Sequence, residues 1–217
     1  MIIGPDFIWL HFPKCAGTHT ERVLRKYFYK DTGITEKILG KILIKDAGIC
    51  FDTIDPSCVI WHESVPEREK RTGRNLEKKA IICNFRRLPS WIISRIQFEE
   101  KRSGTKTAKD EYSIGRFHEQ NGAEDFADNY FKKYSSRPVT SWIRTEYIRD
   151  DFEEAFSPFL DLSPIDLSKE FRTTSNVTHY EKDLRQWFTP EDLEQLYSSC
   201  PLWRNQELTL YGDLITL

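Results

Sequence analysis

One segment near the amino terminus constrains the fold of this 217-residue chain more than any other. Residues 7–12 (Phe-Ile-Trp-Leu-His-Phe) form an apolar run that predicts a buried strand. A short turn over residues 13–17 follows, and then a helix with one apolar face made of Val23, Leu24, Tyr27 and Phe28. A strand, a tight turn and a helix in this order are typical of α/β domains.

The start of this helix carries its own signal. Thr18 and Glu21 form a T-x-x-E pattern, which predicts a capping box at the first turn. In that arrangement the threonine hydroxyl and the glutamate carboxylate each accept a hydrogen bond from a backbone N–H group of the other residue.

Short apolar runs alternate with longer amphipathic segments along the rest of the chain. Residues 58–61 and 80–85 predict two further buried strands, and a helix with Pro89 in its first turn follows the second of them. Farther on we predict a strand over residues 139–144, a helix over residues 147–160, and a last helix that begins at Thr189-Pro190. No linker divides the pattern, so we expect a single α/β domain over residues 1–217, with a central, mostly parallel sheet flanked by helices.

Residues 101–122 fit neither pattern clearly. They are rich in Lys, Ser, Thr and Gly and have no regular period. We keep two interpretations of this segment, a mobile lid and an ordinary surface loop.

Composition excludes several classes of protein. Hydrophobic residues make up 39% of the chain, as in a globular domain. Lys and Arg number 32 against 34 Asp and Glu, so the net charge of −2 gives no global field for nucleic acid, and any anion site must be local. No uninterrupted apolar run approaches the ~20 residues that cross a bilayer, so we expect no membrane span.

The cysteines and the first residues point to a compartment. The five cysteines are scattered, and none of them forms a C-x-x-C pair that would indicate zinc or a redox centre. The amino-terminal stretch lacks a basic segment followed by a long apolar one, so secretion is not indicated. We therefore expect a reduced, cytoplasmic protein.

The turn between the first strand and its helix has the features of an anion site. Helix N-termini offer unpaired backbone N–H groups and a positive dipole end. Ala16 and Gly17 allow close approach to the backbone, Thr18 and Thr20 carry hydroxyl groups, and Lys14 adds a full positive charge. The alternative is an ordinary strand-to-helix turn with a surface lysine.

The order of these residues excludes two anion-binding motifs. A Walker A loop places its lysine directly after the second glycine, whereas Lys14 precedes Gly17. A cysteine phosphatase would need an arginine where Glu21 stands, and Arg22 comes one residue too late. Cys15 is therefore expected to pack the loop rather than to act as a nucleophile, although its position near a helix N-terminus favours a lowered pKa.

Residues 13–18 (Pro-Lys-Cys-Ala-Gly-Thr) resemble the 5′-phosphosulfate loop of the sulfotransferase family that uses 3′-phosphoadenosine-5′-phosphosulfate (PAPS) as donor. In that family a second element, an arginine followed two helical turns later by a serine, holds the 3′-phosphate. Residues 84–94 (Asn-Phe-Arg-Arg-Leu-Pro-Ser-Trp-Ile-Ile-Ser) look like this element. The resemblance implies a fold like that of P-loop nucleotide-binding proteins.

The resemblance also implies a set of donor-binding residues: Lys14, Cys15, Ala16, Gly17, Thr18, His19, Thr20, Arg86, Arg87 and Ser94. Arg86 has the expected eight-residue offset to Ser94, whereas Arg87 has the Arg-x-Pro spacing to Pro89. The sequence does not choose between the two arginines. The alternative is a solvated arginine pair.

Catalysis by such a protein needs a cation and a base. Lys14 is the predicted catalytic cation, because an ammonium group can stabilise the charge that develops on the leaving phosphate oxygen. His62 directly follows a predicted strand, where ligands bind in α/β sheets, and it resembles the family's catalytic base. Glu63 is the second candidate for the base, and a structural role of His62 at the strand end stays open.

The resemblance thus implies an enzyme that transfers a sulfuryl group from PAPS to an acceptor hydroxyl and releases adenosine 3′,5′-bisphosphate. We expect a carbohydrate or glycoconjugate acceptor, no nucleic-acid partner and no metal requirement; the sequence leaves the oligomeric state open. Two alternatives remain: another nucleotide-dependent transferase, such as a kinase with an atypical loop, and a non-catalytic protein that keeps the nucleotide fold for binding.

Overall fold

The computed structural model of the chain describes residues 1–28, 41–44, 49–52, 62–104, 106–120, 123–172 and 180–217. The strands are β1 (Ile2–Ile3), β2 (Phe7–Leu10), β3 (Lys41–Ile44), β4 (Ile49–Asp52), β5 (Ala80–Phe85), β6 (Arg116–Gln120), β7 (Ala123–Phe126) and β8 (Ser141–Arg144). The helices are α1 (Gly17–Phe28), α2 (Val65–Thr72), α3 (Leu88–Ser103), α4 (Lys109–Ser113), α5 (Ala127–Tyr134), α6 (Ile148–Phe156), α7 (Leu167–Glu170), α8 (Pro190–Ser199) and α9 (Pro201–Tyr211). The predicted strand over residues 58–61 lies outside the described residues.

The chain forms two compact units, and each of them combines two separate stretches of sequence. The first unit comprises Met1–Phe85 and Ser136–Asn176, and the second comprises Arg86–Ser135 and Val177–Leu217. The α/β class is confirmed, whereas the single domain over residues 1–217 stays a prediction.

The first unit contains a six-stranded sheet in the order β3-β4-β1-β2-β5-β8. Among the strands that the structure describes, two pairs, β2 with β5 and β5 with β8, are parallel, and three pairs are antiparallel. The prediction of a mostly parallel sheet is therefore wrong, and the sheet is mixed. For the pair β1–β2 the physical cause is the tight turn after β1, closed by a 2.9 Å bond from the N–H of Gly4 to the carbonyl of Phe7, which sends β2 back along β1.

The parallel pair β2–β5 determines where the first candidate site lies. Leu10 on β2 stands beside Cys83 on β5, so the carboxyl ends of both strands meet at one edge of the sheet. The turn of residues 13–17 leaves β2 at this edge and leads directly into α1. Ligands of α/β sheets bind at this kind of edge.

A continuous apolar core holds α1 and α6 against this sheet. Val23 and Leu24 of α1 are fully buried among Phe7, Trp9 and Phe152. Burial of side chains of this size contributes roughly 1.5–3 kcal/mol each, so the core accounts for the predicted strand β2 and the apolar face of α1. The helix predicted over residues 147–160 is confirmed as α6, with shorter bounds.

The second unit packs its helices around two tryptophans and a β-hairpin. Trp91 of α3 lies 4.6 Å from Trp203 of α9 and 5.4 Å from Phe117 of β6, measured between ring centroids. The helix predicted to begin at Thr189-Pro190 is confirmed as α8, where Thr189 and Asp192 form a capping box, but it is not the last helix, because α9 follows it.

The segment over residues 101–122 is not a simple loop in the parts that the structure describes, and the lid interpretation stays a prediction. It contains the end of α3, the short helix α4 and the strand β6. Among the described residues, no helix combines the length and the apolar character needed to cross a membrane.

Candidate functional site

The loop between β2 and α1 has an unusual backbone. Lys14 has φ 64° and Ala16 has φ 60°, so two non-glycine residues adopt the left-handed conformation within three positions. This conformation costs an L-residue about 1–2 kcal/mol, and such strain concentrates at functional sites. Turns that include left-handed residues direct successive backbone N–H groups into one concavity, which binds anions.

The first turn of α1 adds N–H groups to this loop. The helix begins at Gly17, and the N–H groups of His19 and Thr20 donate to the carbonyl of Ala16 at 2.9 and 3.3 Å. The N–H groups of Gly17 and Thr18 precede any intrahelical acceptor, and they lie at the positive end of the helix dipole. An anion at this end of α1 is favoured by both effects.

The predicted capping box of this helix is wrong. Thr18 lies inside the first turn rather than before it, because the carbonyl of Ala16 already accepts the first helical bonds. The carboxylate of Glu21 pairs with Arg25 one turn later, at 2.6 Å. The exposed Thr18 side chain is thereby left out of the predicted cap.

The other predicted loop residues divide into two groups. Lys14 and Ala16 are half-buried, in keeping with contact to a ligand, whereas Cys15 is fully buried, as its expected packing role requires. Gly17 is also buried.

The side chains of His19 and Thr20 hold α1 in place. His19 is buried, its Nε2 lies 2.8 Å from the carbonyl oxygen of Glu170, and its ring stacks on Phe171 at 4.8 Å. The Thr20 hydroxyl accepts a hydrogen bond from Nδ2 of Asn84 at 3.2 Å, and Oδ1 of Asn84 accepts one from the Trp9 indole at 2.7 Å. These contacts give the side chains of His19 and Thr20 a structural role that does not require a ligand.

The second predicted catalytic residue, His62, lies in the same unit as the loop. Its Nδ1 is 3.0 Å from the carbonyl oxygen of His11, the residue just after β2. A carbonyl oxygen only accepts, so Nδ1 carries the hydrogen, and the lone pair of the neutral ring belongs to Nε2. A half-buried imidazole in this tautomer has the form that a general base needs.

Glu63, the alternative base, has a different environment. Its buried carboxylate accepts from Nε of Arg68 at 2.5 Å and from Nε of Arg71 at 2.6 Å. Arg68 is itself buried, with 1% of its side chain exposed, so the two form an internal ion pair that anchors the start of α2. Guanidinium groups already occupy both oxygens of this carboxylate, so the geometry favours His62 as the base.

In the second unit, Arg86 and Ser94 both act on the hydroxyl group of Tyr180. An Nη atom of Arg86 donates to the phenol oxygen of Tyr180 at 3.4 Å, and the buried Ser94 side chain contributes to lowering the pKa of this phenol. Burial opposes ionisation of Tyr180, but the positive charges of Arg86 and Lys182 lower the pKa of the phenol overall. A cluster that stabilises a phenolate is suited to other oxyanions, including phosphate.

Arg87 is engaged elsewhere. Its guanidinium pairs with Asp213 at 2.6 Å and with Glu207 at 3.4 Å, and it lies 4.1 Å from the ring centre of Tyr211. Glu207 is fully buried and also accepts from the N–H of Leu88 at 2.8 Å. Arg87 thus joins the start of α3 to α9 and its carboxyl end, whereas Arg86 is the arginine that lies with Ser94.

Tyr180 and Lys182 are site residues that the sequence did not reveal. They belong to no recognisable motif, and they lie far along the chain from Arg86. No local pattern could have found them, because only folding brings them to α3. Within the part of the chain that the structure describes, no group of three metal-ligating side chains is present.

Comparison of the chain with protein-family models, with curated proteins and with solved structures finds no match.

Proposed function

We propose that this chain is a PAPS-dependent sulfotransferase, which moves a sulfuryl group to an acceptor hydroxyl on a carbohydrate or glycoconjugate. One observation carries the proposal: Arg86 donates to the hydroxyl of Tyr180 at 3.4 Å, and both Arg86 and Ser94, eight residues later, lower the pKa of that phenol. A guanidinium and a hydroxyl that converge on one oxygen are the groups that recognise a phosphate monoester. The 3′-phosphate distinguishes PAPS from most nucleotide donors.

The loop of residues 13–17 supplies the second half of the proposal. Its left-handed residues and the first turn of α1 supply N–H groups for the 5′-phosphosulfate, and Lys14 supplies the positive charge for the transition state. We assign the 3′-phosphate to Arg86, Ser94, Tyr180 and Lys182, and we assign Arg87 a structural role.

The proposed reaction breaks the bond between sulfur and the bridging phosphate oxygen and forms a bond between sulfur and the acceptor oxygen. His62 takes the acceptor proton on Nε2 while Nδ1 stays bonded to the carbonyl of His11. Lys14 neutralises the negative charge that the leaving phosphate oxygen gains. The products are a sulfate ester and adenosine 3′,5′-bisphosphate.

The test is a transfer assay with sulfur-labelled PAPS and a panel of oligosaccharides, carried out in EDTA. We expect labelled sulfate ester in EDTA and none with the His62→Ala variant. Phosphate transfer from ATP with an absolute need for Mg²⁺ would identify a kinase-like transferase instead. Bisphosphate binding without transfer to any acceptor would indicate a non-catalytic binder.

A cytoplasmic location and the absence of a nucleic-acid partner remain predictions from composition. The resemblance to P-loop proteins likewise remains part of the proposal.

A further inference from the structure

The ring of His11 touches both catalytic elements of the first unit. It stacks on Trp9 at 5.3 Å, with an angle of 24° between the rings, and its centroid lies 4.9 Å from that of His62. On another side it lies against Gly17. A methyl group added to Gly17 would stand 2.0 Å from Cδ2 of His11 and 2.5 Å from Nε2.

This contact explains why residue 17 is a glycine. Gly17 is not among the residues with positive φ, so its backbone conformation is open to any residue. The side chain is excluded by the imidazole ring of His11, which a β-carbon would meet far inside van der Waals distance. The loop and the ring therefore fit each other only with glycine at this position.

An imidazole ring in this buried space costs more free energy than an apolar ring of similar shape. Nδ1 of His11 is buried and has no hydrogen-bond partner among the residues that the structure describes. A buried polar atom in this state costs about 1–3 kcal/mol, which a phenyl ring of similar shape avoids. Burial, and then the neighbouring His62, hold the pKa of His11 well below its usual value, so the ring is neutral at pH 7.

A neutral ring beside His62 is compatible with a base that must gain a proton. If His11 were charged, it would repel the imidazolium that forms when His62 accepts the acceptor proton. The backbone of His11 contributes as well, because its carbonyl fixes the His62 tautomer.

We propose that His11 is a positioning residue. Its ring fixes the position of the ring of His62 relative to the Gly17 end of the loop. The part of this inference that concerns the base rests on the proposed function, whereas the coupling between His11 and Gly17 does not.

The experiment is a double-mutant cycle on Gly17→Ala and His11→Ala, with the affinity for adenosine 3′,5′-bisphosphate and the free energy of unfolding as its two measurements. In the wild-type background we expect Gly17→Ala to weaken binding at least tenfold. In the His11→Ala background the same change should alter affinity by less than threefold, because the ring that it strikes is gone. If Gly17→Ala alone fails to fold, recovery of folding in the double variant is the predicted suppression.

Gly73 provides the control. It has φ 67° at the end of α2, and a methyl group there meets nothing within 4 Å. Gly73→Ala should therefore lower the free energy of unfolding by the same amount with and without His11. Additive effects of Gly17→Ala and His11→Ala, matching those of the control, would overturn the proposal.

A spectroscopic measurement separates positioning from simple packing. Nitrogen chemical shifts should show His62 protonated at Nδ1 in the wild type and in His11→Phe, which keeps a ring. In His11→Ala we expect a mixture of tautomers, because loss of the ring lets the His62 imidazole turn away from the carbonyl of residue 11. An unchanged tautomer in His11→Ala would show that the ring does not position the base. If the wild type fails to bind the bisphosphate, the proposed function is wrong, while the unfolding and tautomer measurements still decide the role of His11.

Discussion

Lys14 combines two features that rarely occur together, a full charge and a left-handed backbone. The strain at φ 64° is tolerable only where the loop conformation is fixed by its surroundings, as it is between β2 and α1. We assign the ammonium group to the transition state rather than to the bound donor, because the bridging oxygen gains its charge only as the sulfuryl group leaves.

Lys14→Ala should therefore lower kcat by at least a hundredfold and change the Kd of the bisphosphate by less than fivefold. The comparison variant Lys14→Gly lacks the charge too, but it should be more stable than Lys14→Ala by about 1 kcal/mol because glycine adopts this conformation without strain. Steady-state kinetics, calorimetry and urea unfolding measure these quantities. Equal losses in kcat and in affinity would make Lys14 a binding residue only.

Arg86 and Arg87 are neighbours with separate roles, and their variants form a matched pair. Arg86→Ala should reduce the preference for the bisphosphate over 5′-AMP at least tenfold, which corresponds to about 1.4 kcal/mol. Arg87→Ala should keep this preference but lower the free energy of unfolding by roughly 1–3 kcal/mol, because the buried Glu207 loses a charged partner. Loss of the preference in Arg87→Ala alone would reverse our assignment.

At the scale of elements, a buried hydrogen-bond chain joins β2, β5 and α1. The Trp9 indole donates to Oδ1 of Asn84, and Nδ2 of Asn84 donates to the Thr20 hydroxyl. All three residues are fully buried, so no water replaces these bonds when one partner is removed.

Asn84→Ala should lower the free energy of unfolding by about 2–4 kcal/mol, because it leaves two buried polar groups without their partner. The control is Asn75→Ala, which removes an exposed local bond to the N–H of Glu77 and should cost less than about 1 kcal/mol. Urea unfolding of both variants measures the difference. Similar losses in the two variants would show that the chain from Trp9 to Thr20 does not stabilise the fold.

Elements with strong local signals were predictable from the sequence, and elements without them were not. The strands β2 and β5, the helix α3 after Pro89 and the Thr189 cap each follow from apolar runs or capping patterns. Ile2–Ile3 is too short for any period to show, so the antiparallel strand β1 was missed. At the candidate site, the motif residues stay predictions that follow from local sequence, whereas Tyr180 and Lys182 depend on tertiary contacts alone.

At the scale of the whole molecule, buried histidines make stability sensitive to acid. Burial lowers the pKa of His11 and of His19 from 6.5. Below pH 6.5 the unfolded chain therefore binds more protons than the folded one, and the free energy of unfolding falls as the pH falls.

We expect lower stability at pH 5.5 than at pH 7.5, with a slope of at most about 1.4 kcal/mol per pH unit for each such proton. His11→Phe should make the dependence shallower by removing one of these groups. Urea unfolding at the two pH values is the measurement. Equal slopes in the wild type and in His11→Phe would mean that His11 is not held neutral by the fold.

The mixed sheet and the division into two units mark the limit of sequence reasoning at this scale. Strand order and direction depend on which strands pair, and the antiparallel pairs β1–β2, β1–β4 and β3–β4 have no local signature. The chain passes from the first unit to the second between Phe85 and Arg86. This boundary lies in the middle of a motif, and its residues are not of the kinds that are typical of a linker. A boundary of this kind is set by tertiary packing alone.

The most direct test of the central claim is calorimetric titration of the protein with adenosine 3′,5′-bisphosphate and with 5′-AMP. The two ligands differ only in the 3′-phosphate that we assign to Arg86, Ser94, Tyr180 and Lys182. We predict that removing this phosphate weakens binding at least tenfold, or about 1.4 kcal/mol. Equal affinity for the two ligands, or no binding of either, would contradict the assignment of this chain as a PAPS-dependent sulfotransferase.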